Sequence, residues 1–432
     1  MKIGIIGGAG VRTPLLVNGI TAANLPIDEI VLYDVDRARL DLIGSLARRR
    51  AGNARLVLAN AVADCVQGAD FVFVSIRVGG IDGRARDEQT SMAHGIVGQE
   101  TIGPGGFAMA LRTVPEVVRY AQEVAERAPH AWIINFTNPV GIVTQAVQTA
   151  TRAKVIGICD TPTELFEEIA HALELPSAGC YFDYVGLNHL GWVREVFFDG
   201  EPQIHRFWER PELLDRLYRA PLFPRELLLQ LRLLPTEYCY YYYRPADAFE
   251  NVKKAGGQTR ALVIKELNAR LFAALVRHDE DPVVVYERYV AARDAGYMQL
   301  ESGSRAPLAR PPWAQLTGYD KIALQTVRAM HENSGALLPL NVRNRGNLPE
   351  LEDNDCIEVT CAVNANGALP LYAGSAPDAV RDLLVQVKDY ERLTVAAALA
   401  RDPELAARAL ARNPLVTSPD LARQLVAAMV PA

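Results

Sequence analysis

Through the first 160 residues, short apolar runs alternate with amphipathic ones. Six runs are apolar nearly throughout: KIGIIG (2–7), EIVLYDV (29–35), ARLVLA (54–59), DFVFVSI (70–76), AWIINF (131–136) and KVIGI (154–158). Such runs predict strands buried on both faces. Between them, 36–50, 106–128 and 138–150 follow helical spacing. Strand–helix alternation of this kind predicts an α/β protein with a parallel, doubly wound sheet.

After about residue 180 the pattern changes. YFDYVGL and GWVREVFFDG predict two antiparallel strands joined by a turn. Residues 210–300 are mostly helical in period. The piece CIEVTCAVNANGALPLY (356–372) reads as β-structure with an NANG turn, and 377–430, rich in Ala, Leu and Arg, as helical cover. There is no internal repeat and no low-complexity linker. The expectation is a first lobe over 1–160 and a second, α+β lobe over 161–432, closely packed on the first.

Composition narrows the class. Of 432 residues, 50% are hydrophobic and 22% charged, so a folded globular chain is expected. A net charge of -6 gives no reason to expect nucleic acid as a partner. No stretch reaches the roughly 18 apolar residues of a membrane span, and the start lacks a cleavable signal pattern. The six cysteines (65, 159, 180, 239, 356, 361) are scattered with no CxxC spacing, as expected of reduced cytoplasmic thiols.

The stretch GIIGGAGVRTP follows the first predicted strand and opens a helix with Pro14 in its first turn. Gly8 and Gly10 fill two positions of GxGxxG, and Thr13 stands in the third. Small residues there let the backbone approach a pyrophosphate at a helix N-terminus. Gly7, Gly8, Gly10, Val11, Arg12 and Thr13 are the candidate cofactor loop. Asp34, at the end of the second strand, is placed to bind a ribose 2′-hydroxyl, which favours NAD over NADP. The first lobe is thus predicted to be Rossmann-like.

Five further segments carry chemistry. Cys159 and Asp160 end a strand in GICDTP, and His189 lies near the end of another in YVGLNHL. Thiolate and imidazole can hold a transition metal whose remaining positions go to substrate oxygens, although a lone Cys or His at a strand end is more often structural. LPTEYCYYYYRP holds five tyrosines, from Tyr238 to Tyr243, a run that ordinarily reads as an aromatic strand or packing face. Arg84 and Arg86 sit beside Asp87 and Glu88, and GQETIGPGG (98–106) gathers glycines before a helix.

The segment NFTNPVGIVTQAV (135–147) is similar to one in lactate and malate dehydrogenases. The longer pattern is more specific. Residues 76–115, INFTNPVGIVT, GICDTP, GLNHLGW and NVRNRG (341–346), in this order and spacing, resemble glycoside hydrolase family 4, and within it the bacterial 6-phospho-β-glucosidases. The resemblance implies a lactate/malate dehydrogenase-like fold and a glycosidase that uses NAD+ and a divalent metal, usually Mn2+. In that mechanism NAD+ takes a hydride from carbon 3, a base removes the carbon 2 proton, the aglycone leaves carbon 1, water adds, and the hydride returns. It further implies a small phosphoglycoside substrate and a homodimer or homotetramer, with the second lobe holding substrate, metal and the subunit contacts.

Carried over residue by residue, the metal ligands fall on Cys159 and His189. The substrate contacts fall on Arg84, Asn138 and Arg260. The base falls on Tyr238, with Tyr241 the alternative. Asp160 occupies a position where α-acting members commonly have Asp as proton donor and many β-acting members have Asn. It is left as acid or substrate contact, with a helix N-cap as its structural reading. Three other readings compete with a 6-phospho-β-glucosidase. One is a relative acting on another sugar (α-galactosidase, α-glucuronidase or 6-phospho-α-glucosidase), another an NAD-dependent 2-hydroxyacid dehydrogenase, and the third a non-enzymatic NAD sensor.

Overall fold

The predicted strands of the first 160 residues all enter one sheet. The structure, a computed structural model, describes residues 1–23, 25–218, 222–303 and 318–430; residues 219–221 of the predicted helical stretch lie outside them. Strands β1 (Lys2–Ile6), β2 (Glu29–Tyr33), β3 (Arg55–Leu58), β4 (Phe71–Val74), β5 (Trp132–Asn135) and β6 (Lys154–Gly157) pair in parallel, in the order β3-β2-β1-β4-β5-β6. This is the doubly wound arrangement, whose switch point between β1 and β4 faces the carboxyl ends of the strands. β3 departs from the predicted burial. It is the sheet edge, with Arg55 exposed and the rest half-buried, because nothing pairs beyond it.

The second half extends the same sheet. β7 (Cys180–Leu187), β8 (Leu190–Phe198), β9 (Glu201–Pro202), β10 (Leu234–Pro235), β11 (Ala336–Arg343), β12 (Cys356–Asn364) and β13 (Gly367–Pro370) are antiparallel to their neighbours. The path β10-β8-β7-β12-β11 meets β6 through one register pair, Asn341 opposite Gly157. Only glycine fits there, since a Cβ would lie 2.4 Å from Thr144 Oγ1 and 2.8 Å from Asn341 Cβ. The β7–β8 hairpin and the NANG turn between β12 and β13 form where the pattern placed them.

Helices cover both faces. Gly103–Arg127 begins three residues before its predicted start, with Pro104 in its first turn, and packs against Val140–Ala150 and Asp378–Ala400. Predicted helices 36–50 and 138–150 are Arg37–Arg48 and Val140–Ala150. The C-terminal cover is Asp378–Ala400, Pro403–Leu410 and Pro419–Met429. The tyrosine run is no strand. It is a 3-10 turn, Glu237–Cys239, followed by the helical turn Tyr240–Tyr243. Among the described residues no helix is long and apolar enough to cross a membrane.

Candidate active site

The glycine loop is built by close approach. Gly7 and Gly8 both donate backbone N–H to Tyr33 O at 2.9 Å. Gly7 has φ +94, and a Cβ on it would lie 2.1 Å from Ser75 O, so the loop threads between β2 and β4 with no room for a side chain. Gly8 is a packing residue: its Cβ would strike Leu32. The helix Thr13–Ala22 that follows has Pro14 in its first turn, no acidic residue there and no side-chain cap, leaving its positive end to an anion. Asp34 accepts from Ala9 N and Asp36 N, each at 3.0 Å, so it pins the loop to the end of β2 while lining the cleft. Burial pushes its carboxyl up from the usual range.

Facing the cleft stands a group of arginines around one half-buried carboxylate. Glu100 accepts from Arg77 Nη2 at 2.5 Å and Arg84 Nη1 at 2.7 Å. Burial opposes its ionisation, but Arg84, Arg77 and Arg12 outweigh it and hold the carboxyl far below the usual range. The glycines of GQETIGPGG make this possible. A Cβ on Gly105 would lie 2.3 Å from Gln99 O and one on Gly106 2.0 Å from Thr101 O, so the loop crosses the helix start and turns Glu100 inward. Arg84 Nε also donates to Glu88 at 2.6 Å, and Glu88 accepts from Ala261 N at 2.8 Å. Arg84 is therefore clamped from two sides rather than free. Arg260 donates to Arg293 O at 2.5 Å, and burial lowers its pKa. The guanidinium of Arg12 lies 4.1 Å over the ring of Tyr319.

Cys159 and Asp160 follow β6. Cys159 is fully buried, and burial, then Glu358 and Asp160, push its thiol well above the ordinary range. Asp160 is the residue before the helix Thr161–Ala172, but its side chain makes no capping bond and lines the cleft instead. The structural N-cap reading thus fails for its carboxylate. His189 lies in the two-residue turn between β7 and β8 with φ 64. Burial lowers its imidazole to about 3, so it is neutral, and neither ring nitrogen meets a partner among the described residues.

The ring of Tyr238 stacks on His189, centroids 3.7 Å apart and planes 1° from parallel. Its hydroxyl lies 3.1 Å from Tyr297 Oη, whose single proton is shared between the Tyr238 hydroxyl and Glu237. Burial, then Glu237 and Glu100, push the Tyr238 phenol well above its ordinary value. Tyr241, one helical turn on, is likewise raised and lies 3.7 Å from Met298 Sδ.

These parts line one cleft of about 960 Å³. Gly7, Gly10, Val11, Arg12, Thr13, Asp34, Arg84, Asn138, Asp160, Tyr238, Tyr241 and Arg260 all reach it. Gly8 does not, and Cys159 and His189 lie behind its wall, beneath Asp160 and Tyr238. Cys159 is within electrostatic reach of Tyr238, the ring that covers His189. A buried imidazole and a buried thiol near the same phenol are donors that a transition-metal cation can use, a hard one such as Mn2+ needing oxygen ligands besides. The open helix end and glycine cradle fit a pyrophosphate. Among the described residues no three His, Cys, Asp or Glu side chains converge, so a cation held by Cys159 and His189 would draw further ligands from elsewhere. Asn138 Oδ1, buried and unpartnered, also faces this region. The sequence reading did not find Glu100, Arg293, Tyr297 or Tyr319, which line the cleft too. The glycines around Glu100 carried the one available signal.

The sheet order and the glycine loop define a protein of the dinucleotide-binding fold class, and sequence comparison agrees. The profile of family 4 glycosyl hydrolases matches residues 2–175, and that of the family's C-terminal domain matches 184–416; the chain belongs to this family. A 6-phospho-beta-glucosidase of Escherichia coli (strain K12) is 30% identical, over 97% of this chain and 92% of that protein. The 6-phospho-beta glucosidase of Thermotoga maritima, solved with manganese, NAD+ and glucose-6-phosphate, superposes with a TM-score of 0.82 at 28% identity, covering 100% of this chain and 97% of its own. Malate dehydrogenase of Plasmodium falciparum shares the fold alone, with a TM-score of 0.53 at 14% identity over 93% of this chain and 99% of its own.

Proposed function

We propose that this chain hydrolyses 6-phospho-β-glucosides, with NAD+ and a divalent metal, Mn2+, as its cofactors. The observation that carries the reading is the meeting, in one cleft, of a dinucleotide cradle with Arg84, Asn138, Asp160 and Tyr238, whose ring stacks on the buried His189. A plain dehydrogenase needs only the first. Bound NAD+ would supply a hydride acceptor regenerated in each turnover, and bound Mn2+ a Lewis acid beside the sugar oxygens.

The chain's own residues do the rest. Gly7 and Gly10 to Thr13 hold the pyrophosphate and Asp34 the ribose. Cys159 and His189 hold the metal. Arg84, Arg260 and Asn138 grip the sugar and its phosphate, for which guanidinium groups suit by charge and shape. Tyr238 removes the carbon 2 proton. Burial raises its phenol, and Arg84 nearby, together with a cation that His189 would hold, would supply the positive charge that lowers it. Asp160, uncapped and facing the cleft, donates a proton to the leaving oxygen. The resemblance also implies a cytoplasmic homodimer or homotetramer, which light scattering on the purified protein would check.

The test is release of p-nitrophenol from 6-phosphorylated and non-phosphorylated β-glucosides, with and without NAD+, Mn2+ and EDTA. Turnover of the phosphorylated compound alone, needing both additions and stopped by EDTA, is expected. Net NADH accumulation without metal would overturn the reading. Asp160 favours one alternative, action on an α-linked 6-phosphoglucoside; activity on that anomer alone, with the same requirements, would establish it.

A further inference from the structure

One row of residues runs across five strands beneath the site. Gly157 on β6 lies opposite Asn341 on β11, Asn341 opposite Glu358 on β12, Glu358 opposite Gly186 on β7, and Gly186 opposite Gly191 on β8. Cys159 follows two residues after the row's first member, and His189 lies in the turn between its last two. Glu358 stands at the centre, 1% exposed. Its Oε1 accepts from Asn341 Nδ2 at 2.6 Å and from Asn188 Nδ2 at 3.3 Å, and its Oε2 from Tyr184 Oη at 2.7 Å. All three donors are neutral. The glycines make room for this fork: a Cβ on Gly191 would lie 2.0 Å from Tyr184 Oη, and one on Gly186 2.3 Å from Leu190 O. A buried carboxyl group held only by neutral donors is an uncommon way to stabilise a sheet. Its bonds lead to the β6 seam on one side and the residue before His189 on the other.

We propose that Glu358 is the positioning residue of the metal site, fixing the His189 turn against the Cys159 strand end through Asn188 and Asn341. This rests on the reading that Cys159 and His189 hold a metal. Outer partners of metal ligands commonly matter to affinity by about 10- to 100-fold.

The test titrates Mn2+ alone into the NAD+-saturated enzyme under reducing conditions, following free Mn2+ by its EPR signal, with NAD+ affinity measured in parallel. Glu358→Leu, which keeps bulk but loses the fork, is expected to weaken Mn2+ binding at least about tenfold and leave the NAD+ affinity unchanged. Glu358→Gln can still accept from both asparagines and donate to Tyr184, so it is expected to restore most of the Mn2+ affinity. Asn188→Ala cuts the bond to the turn with a smaller packing change, and is expected to weaken Mn2+ several-fold; if Glu358→Leu does not fold, this variant decides. Wild-type Mn2+ affinity in Asn188→Ala and in folded Glu358→Leu overturns the proposal. Failure of the wild-type enzyme to take up Mn2+ overturns the metal reading itself, and the positioning role falls with it.

Discussion

Single side chains set the protonation states on which the proposed chemistry turns. A metal at Cys159 needs the thiolate, yet burial holds that thiol well above its ordinary range, so binding must expel a proton. His189, lowered to about 3, has none to give near neutrality. Mn2+ affinity is therefore expected to rise with pH, by about tenfold per unit over roughly pH 6 to 8. Calorimetry in buffers of different ionisation enthalpy should show about one proton released per metal. Cys159→Ser is expected to abolish both binding and slope; a flat profile in the wild type would remove the thiol from the site. Tyr238→Phe is expected to slow exchange of the carbon 2 proton with solvent by at least about 10²-fold, read by deuterium incorporation. Persistence in that variant with loss in Tyr241→Phe would move the base by one helical turn. Cys159, Asp160, His189 and Tyr238 became candidates because their neighbours in sequence formed recognisable segments. Glu100 and Glu358 were not. Each earns its place from partners far along the chain, Arg77 and Arg84 for one and Tyr184 and Asn188 for the other, and no local spacing announces such a partner.

At the level of elements, the parallel strands were readable because burial on both faces leaves an unbroken apolar run. The helix Gly80–Ala93 was not, for it buries Arg84, Asp87 and Glu88 rather than an apolar stripe, and pairs Arg84 with Glu88 and Asp87 with Arg112. β11 was hidden by Pro339, tolerated because pairing with β6 is confined to Asn341. The helix Thr161–Ala172, which starts at Asp160, carries a buried acid of another kind. Burial, then Glu237, raise Glu168 to about 8 from an ordinary 4.5. A folded-state pKa above the unfolded one stabilises the fold below the ordinary value, and that contribution disappears as pH rises through about 8. The melting temperature is accordingly expected to fall between roughly pH 5 and 8, and less steeply in Glu168→Gln, as scanning calorimetry would show. An unchanged slope in the variant would mean that Glu168 ionises freely in the folded chain.

For the whole molecule, the sequence pattern located two kinds of structure but not their union, because a single register pair between β6 and β11 leaves no trace in periodicity. One sheet holds the glycine loop and the strands next to Cys159 and His189, so the halves should melt together. NAD+ is expected to raise the temperature of a single transition, by an amount that follows its concentration over Kd; near 100 times Kd this corresponds to about 2.7 kcal/mol. A second transition, insensitive to NAD+, would show that the halves unfold apart. The seam has an evolutionary consequence too. A recombinant joining the first half of one relative to the second half of another has to match at Gly157, inside a strand, where the missing side chain leaves no slack against Thr144 and Asn341. Exchange of halves is thus a poor route to new sugar preferences. Substitution in place, at positions such as Asp160 that face the cleft without serving the seam, is the route this architecture leaves open.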